Sequence, residues 1–306
     1  MSIHVARDWE TRFTNWKGKA SDSEEDKYKR TCRAIGDALR ADERLRDYDF
    51  SVYPKGSYPN FTNVVRDSDV DIAVELTTFF KPKFIGDAEG LTLQDVGFTV
   101  YQGDATLPGF KDDVERALIS YFGSDAVDRG SKAIRVAENS GRLPADVVPC
   151  VTERTWTSRW TRHDGIRLHN DRDPEQRIIN YPKQHLEEGT QKNNATSRRY
   201  KRVVRILKRL ENEMVDEGII EAVPSFMIES SVWNVPNTDF ARETWKARVR
   251  AALAHIYNGT LNDNCVSSNN WLEANGIKYL FHGSQSWSYR DAHNFAGRAW
   301  DYVGFE

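Results

Sequence analysis

The sequence predicts an α+β protein in which a mixed-sheet lobe precedes a helical one. Three observations carry that prediction. Short runs rich in β-branched and aromatic residues, bounded by Gly and Pro, recur at 50–53, 70–76, 133–136 and 145–151. Apolar residues at helical spacing frame them at 22–46 and 112–122. From Thr196 onward the helical period dominates. The expected division is a sheet lobe over 1–185, including the first helix, and a helical lobe over 186–306. Ligands are expected in a cleft between them.

Each element has a local reason. Asp22 or Ser23 can cap the first helix, Glu24, Glu25 and Asp26 favour its positive end, and Tyr28, Cys32, Ile35 and Leu39 mark its buried side. Phe50 to Tyr53 reads as a short strand entering Pro54 and a Gly56-Ser57 turn. The strand Val70 to Leu76 follows, and 77–110 is a Gly- and Pro-punctuated excursion without a clear period. Val114, Leu118, Ile119 and Phe122 form the expected buried side of the second helix. A hairpin is expected around His163-Asp164-Gly165 and a strand at 177–181. The helix 197–217 aligns Tyr200, Val203, Val204, Leu207, Leu210 and Met214 and stops at Gly218. Further helical segments are expected at 225–233, 238–257 and 285–302.

The strand at 70–76 carries the chemistry. Side chains alternate along a strand, so Asp69 and Asp71 project together while Val70, Ile72 and Val74 face the other way. Two adjacent carboxylates repel unless a cation lies between them. Hard oxygen ligands in low number suit magnesium with a phosphate completing its shell. Gly56 allows close backbone approach, and Ser57 adds a hydroxyl. Asp146 is the one acid in the apolar strand 145–151. Beside 70–76 it would complete a three-carboxylate site able to hold two metal ions; on an edge it would be a salt-bridged surface aspartate. Lys201, Arg205 and Lys208 form one helical stripe, which spacing alone reads as the wet face of an amphipathic helix.

Composition narrows the classes. Of 306 residues, 29% are charged and 39% hydrophobic, a globular balance. The net charge of −3 offers no global attraction for nucleic acid or an anionic membrane. The first ten residues lack a signal-type apolar core, and no later run has the length of a membrane span. Cys32, Cys150 and Cys265 are too scattered for a disulfide frame or zinc cluster, so a cytoplasmic, reduced protein is expected.

Gly56-Ser57, then Asp69-Val70-Asp71, then Asp146 on a later strand resembles the polymerase-β-type nucleotidyltransferase core. Asn180-Tyr-Pro-Lys-Gln-His185, Gly189, Lys192-Asn193, Tyr200-Lys201, Arg205-Ile-Leu-Lys208 and Pro224-Ser-Phe226 extend the similarity to the bacterial cGAS/DncV-like nucleotidyltransferases, nearest the pyrimidine-using clade. The resemblance covers about residue 20 to beyond 235; the last 60 or so residues carry no recognised motif. It implies a template-independent enzyme that joins nucleoside triphosphates into a cyclic di- or oligonucleotide signal in antiphage defence. It implies two Mg2+ ions, with Mn2+ as a substitute, on Asp69, Asp71 and Asp146. It assigns Gly56, Ser57, Lys201, Lys208 and Ser225 to the triphosphate and Asn180 to the base. An amide can pair with both O4 and N3–H of uracil, so UTP is the preferred substrate and ATP a second one. Asn180 can equally cap the turn into Pro182, and His185 is expected to pack rather than touch nucleotide. A monomer is expected, without membrane or stable nucleic-acid partner, its product read by a separate effector. Two other readings remain: nucleotide addition to RNA ends or a protein hydroxyl, for which 192–209 is the candidate basic track, and a nucleotide sensor without turnover.

Overall fold

The computed structural model describes residues 7–64, 69–263 and 270–306. The chain divides into two compact units. One is built from the described parts of Ser21–Pro59 and Ser68–Lys183, the other from those of Met1–Ala20, Asn60–Asp67 and Gln184–Glu306.

The first unit holds a mixed sheet. Its described strands are β1 (Phe50–Pro54), β2 (Val70–Phe84), β3 (Val127–Arg129), β4 (Ile134–Val136), β5 (Ala145–Trp156), β6 (Arg162–Leu168) and β7 (Ile178–Asn180). The order is β1-β2-β5-β4-β3, with β6 also on β5 and β7 on β6. Only β2 and β5 run parallel. Because β2 pairs along nearly all of β5, β4 and β6 share its other edge, at Ala145–Val147 and Cys150–Trp156 respectively. One face buries Val70, Ile72, Val74 and Val147 under helices α2 (Asp22–Ala41) and α4 (Leu107–Phe122), which contribute Ile35, Leu39, Phe110, Val114 and Leu118. The other face carries a smaller apolar cluster of Ala73, Val148, Cys150, Ile166 and Leu168, with Tyr53, Ala133 and Ile178 packed against it.

Several local expectations change. The first helix ends at Ala41 and gives way to a 3-10 turn over Glu43–Asp47. Strand β2 continues eight residues past Leu76, through Pro82. β1 pairs with β2 only as far as Leu76, and over this extension, Pro82 included, β2 pairs with β5. Helix α4 starts at Leu107 rather than Asp112, because Thr106 caps Gly109 N–H and Pro108 sits in the first turn, where its lost donor is harmless. Ile119 on that helix is exposed, not core. No turn forms at Gly165, which lies inside β6. A Cβ there would meet Tyr181 Cε1 at 2.8 Å and Asn180 O at 2.9 Å, so glycine marks the close approach of β7, not a bend.

The second unit is helical: α1 (Trp9–Trp16), α5 (Pro182–Ala195, its first turn in the other unit), α6 (Tyr200–Asp216), α7 (Ser225–Trp233), α8 (Trp245–Gly259) and α9 (Tyr289–Val303), in addition to the short α3 (Ser57–Asn60) before it. The α6 residues Tyr200, Val203, Val204, Leu207, Leu210 and Met214 are fully buried, as their spacing requires. They pack with Trp9 and Phe13 of α1, Ile228 of α7, Leu253 of α8 and Phe295 of α9. Gly218 terminates α6 in the left-handed conformation. Helices α1 and α5 had no counterpart in the sequence reading; α1 is short and aromatic, and α5 is too polar for an apolar period. Among the described residues no helix is long and apolar enough to cross a membrane. Cys32 and Cys150 are free thiols, and Cys265 lies outside the described residues.

Candidate active site

Strand register assembles the acids. Asp71 and Asp146 are Cα partners in the parallel β2–β5 pair, and Arg135 of β4 is the partner of Asp146 on its other side. Directly paired residues share a sheet face, so these three side chains project together. Asp69, two residues before Asp71, approaches Arg135, with Oδ2 4.0 Å from its Nη2. Burial pushes the Asp146 carboxyl above the usual range, and the charges of Asp69 and Asp71 push it further, while Lys55 and Arg135 pull it back. Asp146 therefore lies within reach of the charges of both other acids. Asp146 belongs to a carboxylate cluster and is not an edge-strand surface acid.

The Gly56-Ser57 bend adjoins this cluster. The Lys55 N–H donates to the Asp71 carbonyl at 2.9 Å, and its Nζ donates to Asp71 Oδ1 at 2.9 Å. Gly56 has φ +74°, and a Cβ on it would lie 2.6 Å from Asp71 Oδ2. Glycine is thus demanded twice, by the left-handed backbone and by the carboxylate against it. Ser57 opens the short α3. Asn180 ends β7, half-buried, opposite Ile166.

Deeper on the same face lies Glu75, which the sequence reading passed over. It is buried and accepts from Thr152 Oγ1 at 2.6 Å, Tyr53 O–H at 2.7 Å and Lys183 Nζ at 3.4 Å. The parity 71, 73, 75 could have found it, since an acid two residues beyond Ala73 shares the face of Asp71. Lys55 and Arg135 were also missed. Lys55 was legible as the neighbour of the Gly-Ser pair, whereas nothing local marks Arg135.

In the helical unit the stripe on α6 is not a wet face. Lys201, Arg205 and Lys208 are all buried. Arg205 Nε donates to Lys17 O at 2.9 Å, a purely structural bond between α6 and the segment after α1. Lys208 Nζ donates to Glu229 Oε2 at 3.1 Å. The same carboxylate accepts from Thr62 Oγ1 at 2.7 Å and His185 Nε2 at 2.8 Å. Burial would raise the Glu229 carboxyl, but Lys208, His185 and Thr62 outweigh it and hold the group far below its ordinary range. His185 packs edge-on to Phe226, as expected of a packing residue. Ser225 lies four residues before Glu229 on α7, so it shares the helix side that receives Lys208. Burial lowers Lys201, whose ammonium stands 6.0 Å from the Phe61 ring centroid.

Three carboxylates on one face offer hard oxygen donors of the kind that hold magnesium. Among the described residues no group of three or more His, Cys, Asp or Glu side chains stands close enough together to hold a metal ion. Instead Lys55 and Arg135 stand beside two of the acids. In chemical type these carboxylates suit a divalent cation, while Lys55 and Arg135 occupy the positions beside Asp71 and Asp69.

A Gly-Ser bend beside an Asp-x-Asp strand, with a further acid in register on the next strand, is the arrangement on which the resemblance to nucleotidyltransferases rests. Comparison with known proteins gives the family. Residues 187–304 match the model of the cGAS/DncV-like nucleotidyltransferase C-terminal helical domain. The chain is 34% identical to the cyclic dipyrimidine nucleotide synthase CdnE of Cecembia lonarensis, over 98% of this chain and 100% of that one. It is also 34% identical to a cyclic dipurine nucleotide synthase of Elizabethkingia meningoseptica, over 97% and 99%. Among solved structures it resembles the Rhodothermus marinus CdnE c-UMP-AMP synthase with Apcpp and Upnpp, with TM-score 0.81, 29% identity and 97% of each chain covered. The chain therefore belongs to the cGAS/DncV-like nucleotidyltransferases and is an enzyme of the cyclic nucleotide synthase type.

Proposed function

We propose that this enzyme joins UTP, alone or with ATP, into a cyclic dinucleotide at Asp69, Asp71 and Asp146. The observation that carries the site is the Asp71–Asp146 register, with Asp69 close enough to raise the Asp146 carboxyl. A 2′- or 3′-hydroxyl oxygen of one nucleotide loses its proton to solvent and bonds to the α-phosphorus of another, the bond from that phosphorus to the bridging oxygen breaks, and pyrophosphate leaves. The linear product repeats the same step within itself, releasing a second pyrophosphate and closing the ring. Two divalent ions bound by the acids would supply activation of the hydroxyl and neutralisation of the leaving phosphates. The protein's own part is positioning. Gly56 and Ser57 orient the β- and γ-phosphates. Lys208 and Ser225 are assigned to the triphosphate, Lys208 through an ammonium that also bonds Glu229. Lys201 adds a partly desolvated positive charge.

Base choice rests on Asn180. Relatives named for dipyrimidine and for dipurine products are equally identical to this chain, so overall similarity does not select the base. Asn180 can present both donor and acceptor to uracil, and that pairing is what favours a uridine-containing product. A role in antiphage signalling, with a separate effector reading the product and the enzyme acting as a monomer, follows from the family reading.

Nucleotide addition to RNA needs a basic surface track, for which the segment 192–209 is the candidate. Incubation with all four NTPs and Mg2+, with and without RNA, followed by mass spectrometry is the deciding experiment. A phosphatase-resistant cyclic product containing uridine, formed without RNA, is expected. Linear tails only, or no product, would refute the proposal.

A further inference from the structure

We propose that Lys55 and Arg135 are resident countercharges of the carboxylate site, which make binding of a divalent cation depend on the incoming nucleotide. This rests on the reading of Asp69, Asp71 and Asp146 as metal ligands.

The geometry is specific. Lys55 is pinned to β2 by its backbone N–H, and its side chain, only 13% exposed, ends on Asp71 Oδ1 at 2.9 Å. The lysine end of this ion pair is sheltered, whereas the Asp71 carboxylate stays 38% exposed and within reach of a ligand. Arg135 reaches the cluster by a different route, through the β4–β5 ladder that sets it beside Asp146 and leaves its Nη2 4.0 Å from Asp69. The three acids thus have two cations beside them, Lys55 in direct contact with Asp71 and the more exposed Arg135 4.0 Å from Asp69. A carboxylate oxygen that accepts an ammonium proton cannot give that lone pair to a metal, and a divalent ion placed there meets the repulsion of both cations. Bare metal is accordingly a poor ligand for this site.

A nucleoside triphosphate changes the balance. The Gly56-Ser57 bend that the proposed function gives to the phosphates begins one residue after Lys55. Phosphate oxygens there offer the ammonium another partner, freeing Asp71. Metal and nucleotide then raise each other's affinity through Lys55, since such coupling is reciprocal. Lys55 and Arg135 are positioning residues in this scheme, acting on the acids and not on the reacting atoms.

The test is Mn2+ binding, followed by electron paramagnetic resonance, with and without a non-hydrolysable UTP analogue. In the native enzyme Mn2+ alone should bind weakly and the analogue should tighten it. Lys55→Met should tighten binding of Mn2+ alone by about tenfold and shrink the enhancement by the analogue in proportion, the scale of removing one close charge. Lys55→Arg should behave as native. Arg135→Gln should give a smaller gain of about threefold, and it keeps the test alive should Lys55→Met fold poorly. If the native enzyme binds Mn2+ with the analogue but both neutral variants leave metal-alone affinity unchanged or weaker, the countercharge role is wrong while the metal site stands. If the native enzyme binds no Mn2+ even with the analogue, the metal-site reading falls, and this inference with it.

Discussion

Asp71 and Asp146 lie directly opposite one another on parallel neighbouring strands, although 75 positions separate them in the chain. Around that pair are Asp69, the Lys55 ammonium and the Arg135 guanidinium. The acid that pays most for this crowding is Asp146, which is both desolvated and flanked by like charge. The site is therefore built against local stability, as catalytic sites often are.

Replacing Asp146 by Asn should separate function from stability. Its raised carboxyl means the fold favours the protonated form, so its contribution to stability falls as pH rises above its ordinary value of 3.8. At pH 7 and without metal, Asp146→Asn should melt about 2–4 °C higher than the native protein. Cyclic product should drop by at least about 10²-fold, the scale of losing one preorganised electrostatic group. Thermal melts in EDTA and a product assay measure both; a lower melting point would show that the like-charge repulsion is not felt.

Gly56→Ala tests the bend. The new Cβ would collide with Asp71 Oδ2 while occupying φ +74°. The backbone term alone costs about 1–2 kcal/mol, and the displaced carboxylate should lower kcat on the order of 10²-fold. Full activity in this variant would mean that Asp71 need not keep its present position.

The buried Glu229 group gives a stability prediction in the other unit. Glu229→Ala strands Lys208 and His185 without their shared anion and should destabilise by about 3–5 kcal/mol. Because its carboxyl is held far below the ordinary 4.5, its stabilisation is complete above that pH and is lost as pH falls through the acid range. Urea unfolding at pH 7 and pH 4 should show native stability dropping with acidification, and a smaller drop in Glu229→Gln. Equal pH slopes in the two proteins would contradict the assignment.

Asn180→Ser should move substrate choice from UTP towards ATP or GTP, because a hydroxyl has shorter reach and loses the paired donor and acceptor. Competition among the four NTPs, read by product mass, checks this. An unchanged product would remove Asn180 from base recognition.

Legibility followed the range of the forces involved. Elements with a clean period, such as α6 and the start of β2, were placed from spacing alone. Their ends were not, because Pro82 and Gly165 are read locally as breakers and only pairing with neighbouring strands carries β2 and β6 past them. The family was legible from the combined motifs around Gly56, Asp69, Asp146, Asn180 and Lys208. The burial of Lys201, Arg205 and Lys208 was not, since a basic stripe on an isolated helix has the pattern of a solvated face.

The chain's own covalent geometry determined that Asp69 and Asp71 share a face, that Gly56 is free to take a left-handed turn, and that α6 has one apolar side. These follow from alternation, chirality and helical period, which act over a few residues. Only the tertiary structure decided that Asp146 meets Asp71, that Arg135 and Lys55 offset their charge, and that Glu229 receives Lys208 and His185. Each of those pairings depends on strand register or helix packing between distant segments, and the burial of apolar surface that sets them leaves no local trace beside the charged residues it brings together.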